Sequence, residues 1–173
     1  MMRRIIFMMA VLCSSHFVFA QTATLPSQWK FIMKDDPTFK SEVTDESEWS
    51  EVMVPSGWTK LGINKERTIG WYRVRVNVPA NMMNKDLVLF AGMIDDADET
   101  YLNGKLLGST GQFPPNDQTA WDTERKYVIN KALVKPVLNI AIRVYNGIGD
   151  GGIYGGSLLL MAKADYDKQV ADQ

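Results

Sequence analysis

Two groups of residues in this 173-residue sequence have the types and spacing to do chemistry. The first is a run of carboxylates, Asp95, Asp96, Asp98 and Glu99, set directly ahead of Thr100-Tyr101-Leu102. Calcium is a hard cation with several oxygen ligands, and a loop that gathers carboxylates with backbone carbonyls supplies them. Asp95, Asp96 and Asp98 are therefore candidate ligands for a structural Ca2+. Their spacing is not that of a recognised calcium loop, and the same aspartates have other uses: capping turns through their own backbone, or pairing with Arg73, Arg125 or Arg143. We favour those uses. A glycosidase would need two acids roughly 5–10 Å apart across a cleft, and nothing in the sequence selects such a pair.

The second group is aromatic. Trp and Tyr rings stack on the C–H faces of sugars, while Asp, Asn, Arg and Gln side chains bond the hydroxyls. Trp121 lies in a long segment from Gly111 to Arg125 where no strand pattern demands it, among Asn116, Asp117, Gln118 and Asp122. Tyr154 follows a glycine run beside Asp150. Trp121, Tyr154, Asp150, Asn116 and Asp122 are thus the candidate ligand-binding residues; the alternative use of the two rings is to cover the open end of the fold. Trp49 and Trp71 stand at strand starts and read as packing residues. The run Gly147-Ile148-Gly149-Asp150-Gly151-Gly152 follows a strand but precedes no helix, so it lacks the helix terminus that binds phosphate. It reads as a tight loop between strands.

Other chemistries are excluded by what the chain lacks. Met1-Met2-Arg3-Arg4 followed by the apolar run Ile5 to Cys13 has the layout of a secretory signal peptide, with Val18-Phe19-Ala20 as the cleavage site before Gln21. The apolar run is shorter than the roughly 20 residues of a membrane span. Cys13 opens a second reading, a lipoprotein, but Leu12 before it is bulky where that processing wants a small residue. Removing 20 of the 173 residues leaves 153, enough for one core. It also removes the only His, at position 16, and the only Cys, at position 13. Without either, no Ser-His-Asp triad, no Cys-His nucleophile and no ordinary zinc or iron site can be built. With Arg3 and Arg4 gone, 17 basic residues face 20 acidic ones, a balance that gives no support to nucleic-acid binding.

The elements that must position the candidate residues read as short strands punctuated by turns. Tyr72, Val74, Val76 and Val78 alternate with Arg73, Arg75 and Asn77, which predicts a strand with one core face and one wet face. Ile140, Ile142 and Val144 alternate with Ala141, Arg143 and Tyr145 in a second strand, and Leu87 to Ala91 is apolar throughout, as in a strand buried on both faces or a central one. Asn103-Gly104 between Glu99–Leu102 and Lys105–Leu107 predicts a type I′ hairpin. Residues 165–173 form a polar tail, either a helical turn or frayed chain.

The middle of the chain resembles a known family. Asp95-Asp96-Ala97-Asp98-Glu99-Thr100-Tyr101-Leu102-Asn103-Gly104 with Gly108 looks like the D-D-x-D-x-x-Y-x-N-G-x-x-x-G signature of the jelly-roll domain of sialate O-acetylesterases. It is also similar to the sugar-binding N-terminal domain of family 2 glycoside hydrolases such as β-galactosidases. Gly70-Trp71-Tyr72-Arg73, Arg125-x-Tyr127 and Asn139-to-Val144 ahead of Gly151-Gly152-Ile153 stand in the matching order, so the resemblance covers Trp49 to Gly156. It implies an all-β, galactose-binding-like jelly-roll β-sandwich over residues 21–164, behind a signal peptide of residues 1–20. In both families a separate domain does the catalysis, and no hydrolase nucleophile motif is present here. The expectation is a periplasmic or secreted, non-catalytic carbohydrate-binding domain whose partner is a glycan. The alternative is a protein-interaction module that docks onto a separately encoded carbohydrate-active enzyme. No nucleic acid, membrane span or cofactor is expected.

Overall fold

The computed structural model of the protein describes residues 20–173. The expected signal peptide, with Cys13 and His16, lies outside the described residues apart from Ala20. Ten strands follow in order: β1 (Thr22–Thr24), β2 (Gln28–Ile32), β3 (Ser50–Met53), β4 (Thr68–Asn77), β5 (Leu87–Asp95), β6 (Ala97–Leu102), β7 (Lys105–Thr110), β8 (Glu124–Ile129), β9 (Val137–Asn146) and β10 (Gly152–Ala162), then one helix, α1 (Lys163–Ala171). The strands pair antiparallel into a four-stranded sheet, β1-β10-β5-β8, and a six-stranded sheet, β3-β2-β4-β9-β6-β7. The fold is the expected all-β jelly-roll β-sandwich. No helix among the described residues is long and apolar enough to cross a membrane.

The main core lies between the sheets and follows from the period of two. Tyr72, Val74, Val76 and Val78 of the β4 run are buried, as are Leu138, Ile140, Ile142 and Val144 of β9 and Leu87, Leu89 and Ala91 of β5. Asn103 and Gly104 both take positive φ, 48° and 82°, as the type I′ turn between β6 and β7 requires.

The outer faces depart from expectation. Trp71 and Arg73, on the supposedly wet face of β4, are 0% and 3% exposed. The segment between β2 and β3 lies across them. A 3-10 turn at Pro37–Lys40, capped by Asp36 on the Thr38 N–H, carries Phe39 edge-on to Trp71 and Trp49 at 6.1 and 4.9 Å. Tyr101 stacks on Trp71 at 5.6 Å. The Arg73 guanidinium donates to the Phe39 carbonyl and the Glu46 carboxylate, which meets the requirement that a buried cation be paired. Only Arg75 and Asn77 of the three polar residues remain exposed.

On the other outer face, the polar tail begins two residues earlier than expected and is a helix. It packs Tyr166 against Phe90 at 5.7 Å, beside Val88 and Met161. A Lys163–Asp167 ion pair one turn apart and the Gln21 N–H donating to Asp165 hold its N-terminal half.

Trp71→Ala is expected to lower unfolding stability by about 3–5 kcal/mol in denaturant titrations, because it empties the centre of the cluster Trp71 forms with Phe39, Trp49 and Tyr101. Trp71→Phe should cost less, since the buried indole N–H has no partner to lose.

Candidate functional site

The loop end of the sandwich is built around a buried ion pair. Asp98 near the start of β6 and Arg125 in β8 are both 0% exposed. Arg125 Nε donates to Asp98 Oδ1 at 2.8 Å, while Asp98 Oδ2 accepts from Thr100 Oγ1 at 2.7 Å and the Tyr127 hydroxyl at 2.8 Å. Three more of the guanidinium's N–H donors are also engaged. Nη1 donates to the carbonyls of Ala120 and Thr123, and Nη2 to the carbonyl of Asp96. Burial pushes the Asp98 carboxyl upward, opposed by Arg125 and the two hydroxyls.

Asp96 holds two loops together. Its carboxylate accepts from Thr119 Oγ1 in the β7–β8 loop and from the Gly147 N–H in the β9–β10 loop. Its own N–H donates to the Tyr145 carbonyl. Burial works to raise its pKa, but the bonds from Thr119, Asp95 and Gly147 outweigh it, so Asp96 stays ionised below the usual carboxylate range. The Asp95–Asp96 peptide is cis. Asp95 behaves oppositely: burial first, then the adjoining Asp96 and nearby Asp150, push it up to about 7.

The three aspartates grouped as calcium ligands do not come together in that way. Asp98 faces the interior and is consumed by Arg125, and no group of three or more Asp, Glu, His or Cys among the described residues is placed to hold a metal ion. The pairing with Arg125 considered beside the metal reading is the one found.

A cleft of about 220 Å³ opens beside Asp96, lined by Arg67, Gln112, Asp117, Gln118, Thr119 and Tyr145 with Gly147 and Ile148. Mutual backbone bonds between Gln112 and Gln118 pinch the β7–β8 loop into this wall. The β9–β10 loop is set from below: Asp150 Oδ1 accepts the Thr59 N–H at 2.7 Å. Gly152, at φ 104°, lies so close to Trp58 that a Cβ would sit 2.7 Å from the indole. Arg67 reaches Asp117 at 4.0 Å. Burial and the Asp117 carboxylate push the Tyr145 hydroxyl up to about 12.

The candidate ligand residues divide. Tyr154 and Trp121 are brought together, the Tyr154 hydroxyl donating to the Trp121 carbonyl at 2.7 Å, and the indole is 53% exposed. Asp122 and Asn116 are exposed on the same loop but do not line the cleft. Asp150 is exposed yet committed to Thr59. Arg67, Gln112, Asp117, Gln118, Thr119 and Tyr145 were not singled out from sequence. The polar run around Asn116 pointed to their neighbourhood, but the approach of Arg67 and Tyr145 depends on the loops folding back.

With this geometry in place, comparison with known proteins is informative. No family model matches the chain. A candidate β-glucuronidase of Formosa agariphila is 28% identical over 134 residues, which is 70% of this chain and 12% of that protein. A β-galactosidase of Vibrio vulnificus is 28% identical over 116 residues, 53% of this chain and 11% of that one. The chain thus spans about a tenth of the curated relatives it matches. Among solved structures, a Bacteroides uniformis β-glucuronidase superposes with a TM-score of 0.69 at 22% identity, covering 83% of this chain and 18% of that one. The chain has the fold of the N-terminal β-sandwich of family 2 glycoside hydrolases. A Bacteroides cellulosilyticus member of that hydrolase family gives a TM-score of 0.62.

Two predictions come from this site. Asp98→Asn and Arg125→Met should each destabilise the protein by about 3–5 kcal/mol, because each leaves a buried charge without its partner. The double variant should recover part of the loss in denaturant titrations. Second, folded Asp95 keeps its proton to about pH 7 while the unfolded carboxyl loses it near its ordinary value. The folded state therefore binds more protons between those values, and the Asp95 contribution, fully present at low pH, is lost as pH rises through about 7. Asp95→Asn should remove that decline from stability measured between pH 4 and pH 8.

Proposed function

We propose that the protein is an exported, non-catalytic carbohydrate-binding domain that holds a glycan at the loop end of the sandwich. The observation that carries this reading is the cleft beside Asp96. Its Gln, Thr, Tyr, Arg and Asp side chains suit sugar hydroxyls as donors and acceptors, with Trp121 exposed two residues beyond Thr119. The relatives named as β-glucuronidases and β-galactosidases support a glycan as the ligand class. Loops held rigidly at one end of a sandwich are where such folds carry binding residues. The signal-peptide pattern of residues 1–20 supports a periplasmic or extracellular location.

The carboxyl groups support binding without bond cleavage. The Asp96 carboxylate is already bonded by the Thr119 hydroxyl and the Gly147 N–H. Asp98 is fully buried on Arg125. The alternative, docking onto a separate glycan-processing enzyme, is favoured by one observation: Trp121 and Ile148 are 53% and 71% exposed at this end.

A glycan array followed by calorimetry tests the choice. Trp121→Ala should weaken glycan binding several-fold, by about 1–3 kcal/mol as stacked aromatic anchors do, while changing stability by less than about 0.5 kcal/mol as exposed substitutions do. A folded parent protein that binds no glycan, yet captures a glycan-processing enzyme through this end, would favour docking.

A further inference from the structure

The charges around the cleft say which sugars it can take. Resting on the glycan-binding reading above, we propose that the cleft selects neutral saccharides and rejects uronates, so that any uronate preference of an assembly containing this domain is supplied elsewhere.

Among the described residues lining the cleft, Arg67 is the one cation, against the carboxylates of Asp96 and Asp117. Arg67 already faces Asp117 at 4.0 Å. Asp96 lies on the wall with its carboxylate bonded by Thr119 and the Gly147 N–H, contacts that hold it as an anion. The two other guanidiniums of the neighbourhood are occupied. Arg125 is fully buried on Asp98 and three backbone carbonyls. Arg143 is bonded to Asp35 and Glu99 and packed under Phe113 at 4.4 Å.

Carboxylates at a partly enclosed site are good acceptors for the hydroxyls of a neutral ring, each replacing a water bond with a charge-assisted one. A uronate brings a further anion to a wall that carries two carboxylates against one guanidinium, itself facing Asp117, and like charges juxtaposed at a binding surface select against the wrong ligand. Gln118 and Thr119 offer further bonding groups that carry no charge.

Matched pairs isolate the carboxylate: methyl β-D-glucoside against methyl β-D-glucuronide, and methyl β-D-galactoside against methyl β-D-galacturonide, titrated calorimetrically at pH 7.5 and low salt. The neutral member should bind at least about tenfold tighter, a gap that shrinks as salt screens the charges. Asp117→Asn removes one carboxylate from the wall and should narrow the gap by strengthening uronide binding. Uronide binding equal to or tighter than that of its neutral partner overturns the inference while leaving the glycan reading intact. Loss of such binding in Arg67→Gln would then identify Arg67 as the clamp. No binding of either member of either pair overturns the glycan reading and this inference with it.

Discussion

Burying a carboxylate and a guanidinium together is costly unless their donors and lone pairs are met, and the pairing of Asp98 with Arg125 meets most of them. The carboxylate takes the guanidinium and two hydroxyls, while three more of the guanidinium's five N–H donors go to backbone carbonyls. Those carbonyls belong to Asp96, Ala120 and Thr123, on the β5–β6 turn and the end of the β7–β8 loop. One buried cation therefore fixes the two chain segments that carry the loop end. The pair also bridges the sheets, because β6 lies in the six-stranded sheet and β8 in the four-stranded one. The cleft inherits its shape from a contact that no ligand touches.

The outer faces show how a sandwich of this size finishes burying its sheets. Each sheet would leave aromatic residues facing water, and each is covered locally by chain adjoining its own strands. Phe39 and Glu46, between β2 and β3, close over Trp71 and Arg73. Tyr166 of α1, directly after β10, closes over Phe90. Stiffness at the loop end depends on this, since β4 and β9, which pair along ten residues, carry Trp71 and Tyr145.

Much of the fold was legible because the period of two is a local property. The alternation in β4 and β9, the apolar run of β5 and the Asn103-Gly104 turn each specify an element without reference to the rest. The cover over β4 was not legible: Phe39 and Trp49 sit in a polar, charge-rich stretch, and nothing local says that Arg73 will find Glu46. The site was legible in part for the same reason. Trp121 stood out because no strand pattern accounted for it. Tyr145 was concealed by fitting the strand pattern, and Arg67 by lying in the charged run Lys65-Glu66-Arg67. The arrangement that joins them to Thr119 is long-range, and single-residue types cannot announce it.

The acidic run shows how one sequence feature resolves into three different solutions. Asp95, Asp96 and Asp98 stand within four positions, and their mutual repulsion must be met by something. Period-two alternation turns Asp98 inward, where a guanidinium meets it. Asp96 is met by the Thr119 hydroxyl and the Gly147 N–H, which keep it ionised and at the same time draw two loops together. Asp95 is pushed up to about 7 by partial burial and then by Asp96 and Asp150. A guanidinium, a set of hydrogen bonds and a raised carboxyl pKa thus meet the three carboxylates in three different ways. These internal solutions leave the Asp96 carboxylate on the wall of the cleft, tied to both loops that form it.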